Sequence, residues 1–245
     1  MKKVLIAIGV LLFLFIIIGV VVLGYFGIIK LPGDIFRISQ PTDLGVTSSQ
    51  DEYQEFITKT QSRVLPYDQA SADLKATNPY VVFTEPKAYE ATYTSSEITS
   101  RINYAPWASM PTKNVQVKFS DGGVIEASGN LITANLQSFA TAAGNGGYSQ
   151  EDVEKGLEWL NKLASDPSFY IKATATITNN ELTLDTQSIK INRIPLPSGQ
   201  SNEALTFITE YLIKSVSGLN AEEVKISDAG MSFKGQAPSV IYSTK

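Results

Sequence analysis

The chain has 245 residues, a formal charge of -4, a mean hydropathy of +0.00, no cysteine and no histidine. Without cysteine there is no disulfide scaffold, thiol nucleophile or thiolate metal site. Without histidine there is no Ser-His-Asp triad, no His-ligated zinc and no imidazole proton shuttle, so most common catalytic chemistries are excluded at once.

The first 30 residues are unlike the rest. They hold 23 apolar residues, the exceptions being Lys2, Lys3, Lys30 and four glycines. Val4 to Ile29 is 26 uncharged residues, about 39 Å as a helix, longer than the ~30 Å hydrocarbon core. The run is too long for a cleaved signal peptide and lacks a small-x-small exit. It predicts a single-pass membrane anchor over residues 4–29. Lys2 and Lys3 predict a cytoplasmic N-terminus and an extracytoplasmic C-terminal domain at the cell membrane. Residues 1–30 are then tip and anchor, 31–50 a stalk, and 51–245 one extracytoplasmic domain. Residues 31–245 carry 17 basic and 24 acidic side chains, a net of -7, with no basic cluster. Nucleic-acid binding, which needs clustered Lys and Arg, is excluded.

Within the domain, Ser48 or Ser49 can cap a helix from about Gln50 to Arg63 carrying Tyr53, Phe56 and Ile57. Tyr80–Thr84 and Ala88–Thr94 read as strands on either side of Pro86. Thr94 and Glu97 form a capping box that opens a short helix with Ile98 and Ile102 on one face. Val115, Val117 and Phe119 alternate as a strand, Asp121-Gly122-Gly123 turns, and Val124–Leu131 returns. Ser149 and Asp152, a second capping-box pattern, open a further helix that Pro167 stops.

Phe169, Ile171, Ala173, Ala175 and Ile177 share one strand face, and Asn179-Asn180 is a two-residue turn. Leu182 and Leu184 begin the return strand, but Ile189 and Ile191 end it in the opposite phase. One extra residue near Thr186–Ser188, a β-bulge, reconciles the two. A helix from about Asn202 to Ser217 carries Leu205, Ile208, Leu212 and Val216, with Gly218 at its C-terminal cap. Val224–Ser227 and Met231–Gly235 form a last hairpin. Val117–Val124 and Val224–Met231 echo each other as V-K-x-S-D-x-G, either as a duplicated helix–hairpin unit or as two convergent turns. Helices alternating with hairpins predict an α+β fold: a transmembrane helix, then a curved antiparallel β-sheet with helices packed on one face.

The motifs of chemistry are missing. No serine has lysine three residues on, and G-x-S-x-G is absent. Asp185-Thr186-Gln187 lacks the glycine of D-T-G. Glu126, Glu181, Asp185, Glu222, Glu223 and Asp228 are carboxylates that nothing in the sequence brings together. Ala143–Gly147 is glycine-rich without the lysine of a phosphate loop. Trp107, just after Tyr104 and Pro106, reads as core packing or a loop plug, with sugar stacking or a membrane-proximal surface as the functional alternative. No catalytic, cofactor or metal residue is assigned, and no enzyme activity is expected.

Asp43-Leu44-Gly45-Val46 with Asp51-Glu52-Tyr53, then Thr94–Thr99, Lys113–Phe119 with Glu126–Gly129, Ile177–Leu182 and Ile194-Pro195-Leu196-Pro197, resemble an uncharacterised bacterial family of single-pass envelope proteins over roughly residues 40–240. The order of elements is more distantly similar to YpmS-type proteins and tubular lipid-binding (TULIP-like) domains. That resemblance implies a curved sheet wrapping a helix around an apolar groove. Here the groove would be lined by Phe169, Ile171, Ala173, Ala175, Ile177, Leu182, Leu184, Leu205, Ile208 and Leu212. The expected function is a membrane-anchored binding module holding a lipid or other apolar envelope ligand. The alternative is a structural or interaction ectodomain that scaffolds or regulates an envelope complex, with no small-molecule ligand.

Overall fold

The computed structural model describes residues 40–245, apart from 143–150, 152–165, 198–201, part of 203–215 and isolated positions. In chain order the elements are α1 (Gln50–Thr60), β1 (Arg63–Pro66), a 3-10 turn (Tyr67–Gln69), α2 (Ala72–Lys75), β2 (Val81–Tyr93), α3 (Ser95–Asn103), β3 (Thr112–Ser120), β4 (Val124–Leu131), α4 (Thr133–Ala142), β5 (Ser168–Thr178), β6 (Glu181–Ile191), β7 (Ile194–Pro195), β8 (Asn220–Ser227) and β9 (Gly230–Ser243).

Strand dominates, and the nine strands form one curved, mixed sheet. The expected α+β class with a purely antiparallel sheet is corrected on both counts. β8 leaves the edge of β9 at Gln236, and β1 occupies the remainder of that edge in parallel, Arg63 opposite Val240 through Pro66 opposite Ser243. The expected anchor and the cell-membrane localisation built on it are also corrected. Among the described residues no helix is long and apolar enough to cross a membrane, and Val4–Ile29 lies outside the described residues.

Two antiparallel halves make up the sheet. β9 pairs along its length with β2, and β8 runs beside it. In the other half, β3, β4, β5 and β6 follow in order. The halves join on β5, where β4 pairs with Ser168–Thr174 and β8 with Ile177 and Thr178. β4 and β8 therefore lie end to end along one edge of β5. The tips of the two echoing hairpins meet there: the Asp228 N–H donates to Asp121 Oδ1 at 3.1 Å. Val115, Val117, Phe119 and Ile226 form one core cluster, and Tyr93, Ala221 and Phe233 a second; Ile98 of α3 packs on both.

Local expectations are met at several points. The Ser49 hydroxyl accepts from the Glu52 N–H and caps α1. The Thr94–Glu97 capping box is complete. Asn179 and Asn180 turn at φ 52 and 64, as a two-residue hairpin turn requires. The bulge falls on Gln187: Lys172 pairs with Ser188 and Ala173 with Thr186. Pro86, by contrast, does not divide two strands. Glu85, at φ 51, and Ser239 opposite it leave the ladder without shifting its register, Ser239 Oγ donates to the Glu85 carbonyl, and Pro86 sits opposite Pro238, so one strand runs from Val81 to Tyr93. The helix expected between Ser149 and Pro167 lies almost wholly outside the described residues.

Candidate functional site

The site is built where α3 ends and β3 begins. α3 hands the chain to a loop, residues 104–111, that is pinned on every side. Asn135 of α4 donates through Nδ2 to the carbonyls of Ala108 and Met110, at 3.1 and 2.8 Å. The Ala108 N–H donates to the Thr244 carbonyl, and the Ile132 N–H to the Pro111 carbonyl. These bonds fix Trp107, whose ring lies 5.4 Å from that of Phe139 in α4.

Two hollows adjoin at this loop. The outer one is a cleft of about 650 Å³. Val46 and Ser48 of the lead-in segment line one side, and Asn114, Val115 and Gln116 of β3 another. The inner one is about 270 Å³ and mainly apolar, walled by Val64, Val81, Phe83 and Ile241 from the sheet and by Arg101 from α3. Ile102, Ala105, Trp107 and Met110 border both. An engineered apolar cavity of about 150 Å³ already takes benzene, so the inner hollow is large enough for a small apolar group.

The cleft has a rigid floor. Asn103 and Val115 bond reciprocally: Nδ2 donates to the Val115 carbonyl at 2.7 Å, and the Val115 N–H donates to Oδ1 at 2.9 Å. Asn114, at φ 53, breaks the ladder between Lys113 and Gln116 and reaches Asn130. Gln116 Oε1 accepts from the N–H of Leu44 at 2.7 Å and of Val46 at 3.4 Å. The lead-in is thus tied to the domain from Asp43 on. The Gly45 N–H and Gln116 hold the Asp43 carboxyl below its ordinary range. Lys113 is engaged by Asp166 at 2.5 Å.

Two donors stand out. Trp107 Nε1 is buried without an acceptor. Arg101 is half-buried and makes no ion pair among the described residues; its guanidinium lies 5.7 Å from the centre of the Phe56 ring. Its natural partner one turn earlier, Glu97, is already occupied. Glu97 is 0% exposed, with Oε1 on Lys59 Nζ at 2.5 Å and Oε2 accepting the Thr94 N–H at 2.7 Å. Burial lowers the Arg101 pKa, opposed by the nearby Tyr53; an arginine remains cationic all the same. Glu52, Glu55 and Glu97 gather within 4.8 Å, but the Lys59 ammonium supplies the local cation.

The strand residues of the groove expected from the sequence lie on β5 and β6, away from both hollows. They pair across β5 and β6 as the alternation requires: Phe169 with Ile191, Ile171 with Ile189, Ala175 with Leu184 and Ile177 with Leu182. Phe169 packs on the first core cluster and Ile177 on the second. Ala173 is buried, while Ile171, Ala175, Leu182, Leu184 and Leu205 are half-buried. Ile208 and Leu212 lie outside the described residues. None of the eight described ones borders either hollow. Sequence reading did not single out Arg101, and Trp107 was read first as core. The one signal that could have found them is Arg101 standing four residues after a glutamate committed to a capping box.

Comparison with protein-family models, curated proteins and solved structures finds no match for this chain. The class that fold and site define is a mixed-sheet β protein with a mainly apolar, partly open hollow adjoining a polar cleft.

Proposed function

We propose that this protein is a non-catalytic binding module that holds an apolar small molecule, with its apolar part in the inner hollow and its polar end at the cleft. The observation that carries the reading is the shared wall. The same side chains, with Trp107 among them, border an apolar chamber and an open polar cleft. Binding sites of this kind combine a mostly apolar concavity with a few placed polar groups. The pinned loop favours ligand holding because a preformed wall loses little freedom when a ligand enters.

The test uses N-phenyl-1-naphthylamine, an uncharged probe that fluoresces in apolar surroundings. Saturable enhancement near one probe per chain is expected, with most of it lost in Val64→Phe, which fills the inner hollow. No saturable enhancement, or an undiminished signal in Val64→Phe with folding intact, overturns the reading.

A further inference from the structure

We infer that the ligand carries a carboxylate, and that Arg101, with the Trp107 N–H as a second donor, is the group that selects it. This rests on the binding reading above and names the chemical class of its ligand.

Arg101 is half-buried at the wall of the hollow, where a charged partner is worth more than in open water, and its planar fork suits two parallel bonds to a carboxylate. The chain is acidic, so carboxylates are plentiful, yet none among the described residues pairs with Arg101. Glu97 could reach it by the usual four-residue spacing on a helix, but Lys59 and the Thr94 N–H hold both its oxygens. Phe56 offers a ring face, which attracts a cation without filling its hydrogen-bonding capacity. Trp107 adds a buried donor with no acceptor. Both residues border the inner hollow. A cation and a second donor beside an apolar chamber, with Ser243 the one other polar side chain on its wall and its hydroxyl donating to the Thr244 carbonyl, fit a guest with an apolar chain or ring and an anionic end.

Decanoic acid and 1-decanol share a chain and differ at the head, so their competition against N-phenyl-1-naphthylamine on the full chain isolates the charge. At pH 7 decanoate is expected to bind about tenfold more tightly than decanol or better, the range of a charged hydrogen bond. Arg101→Met should abolish that preference, so that decanoate binds no more tightly than decanol. Arg101→Lys should keep part of it. Trp107→Phe keeps a ring and removes the N–H; it should weaken decanoate severalfold and decanol little, and it serves if Arg101→Met does not fold. Equal affinity of the wild-type protein for acid and alcohol, or a preference that survives both Arg101→Met and Trp107→Phe, overturns the inference while the binding reading stands. Failure of both compounds to displace a bound probe overturns the inference alone, whereas failure of the probe itself to bind saturably overturns the binding reading and the inference with it.

Discussion

Thr99 of α3 bonds the backbone of Val117 on both sides: its hydroxyl accepts the Val117 N–H at 2.9 Å and donates to the Val117 carbonyl at 3.3 Å. Thr99 is 1% exposed. The contact belongs to a series. Ser95 Oγ accepts the Phe119 N–H, and Asn103 exchanges two bonds with Val115. Four residues of helix rise about 6.0 Å, and two residues of strand about 6.7 Å, so steps of four on α3 keep pace with steps of two on β3. β3 is the last strand of its half and would otherwise leave an unpaired edge. Side chains of α3 stand where a neighbouring strand would be, which protects an edge that could template association.

Thr99→Val is close in shape but has no hydroxyl. It leaves a buried N–H and carbonyl of Val117 without their partner, a loss of about 1–3 kcal/mol. Thr99→Ser keeps the hydroxyl and loses one buried methyl, roughly 0.8 kcal/mol. Urea unfolding should show a clearly lower midpoint for Thr99→Val at unchanged slope. If the serine variant is equally destabilised, the methyl rather than the hydroxyl matters at this position.

Local elements were legible wherever one residue type has one physical use. The Thr94–Glu97 box, the Asn179-Asn180 turn and the bulge between Thr186 and Ser188 all follow from rules acting over a few residues. Pro86 misled because proline was read without its neighbour: Glu85 leaves the ladder at positive φ and the strand continues. The pairing of β1 with β9 spans more than 170 residues, and nothing local in Arg63–Pro66 announces it. The site was least legible. Ser95, Thr99, Ser100 and Asn103 look like the solvent face of an amphipathic helix, whereas Thr99 and Ser100 are buried and satisfied by backbone. With the polar side turned inward, the periodicity that located α3 pointed away from Arg101 and Trp107.

Lys59 and Glu97 join α1 to α3. The Lys59 ammonium also donates to the Thr92 carbonyl, while its side chain is 36% exposed and that of Glu97 1%. Lys59→Met therefore strands a buried carboxylate, whereas Glu97→Gln leaves a lysine that can turn to water. Lys59→Met should cost more than an exposed pair is worth and less than the 3–5 kcal/mol of a fully buried one, about 2 kcal/mol. In a double-mutant cycle the two changes should couple by about 1 kcal/mol or more, the double variant being more stable than the sum of the single losses predicts. Strict additivity would show that the ammonium acts through its bond to Thr92 alone.

Tyr170 on β5 donates to Glu126 Oε2 of β4 at 2.5 Å. Burial, together with the bond to Glu126 and its negative charge, pushes the phenol up to about 12, against about 10 in an unfolded chain. The folded protein therefore keeps this proton while the unfolded chain releases it. Stability from this group is fully present below about pH 10 and is lost as pH rises to about 12. Tyr170→Phe should flatten that part of the stability profile, seen as the wild-type minus variant difference in urea midpoint shrinking between pH 10 and 12. A constant difference across that range would mean that Glu126 does not restrain the proton.

Gly230 opens β9 immediately after the second echoing turn, and its role differs in kind from that of Gly122 in the first. It adopts φ 131, and a Cβ there would lie 2.1 Å from the Tyr93 carbonyl oxygen and 2.9 Å from the Tyr93 carbonyl carbon. These are backbone atoms at the junction of β2 and the capped start of α3, so neither neighbour can move without disturbing the Thr94–Glu97 box. Gly122, at φ 74, has nothing within 4 Å of the same added atom. Gly122→Ala should therefore cost only the left-handed backbone penalty, about 1 kcal/mol. Gly230→Ala adds a steric clash to that penalty and should cost well above it, on the order of 3 kcal/mol or more. Thermal unfolding of the two variants side by side separates strain from collision. If they melt together, the chain around Tyr93 yields more readily than its packing implies, and the end of β2 is not the fixed point from which α3, and with it Arg101, is positioned.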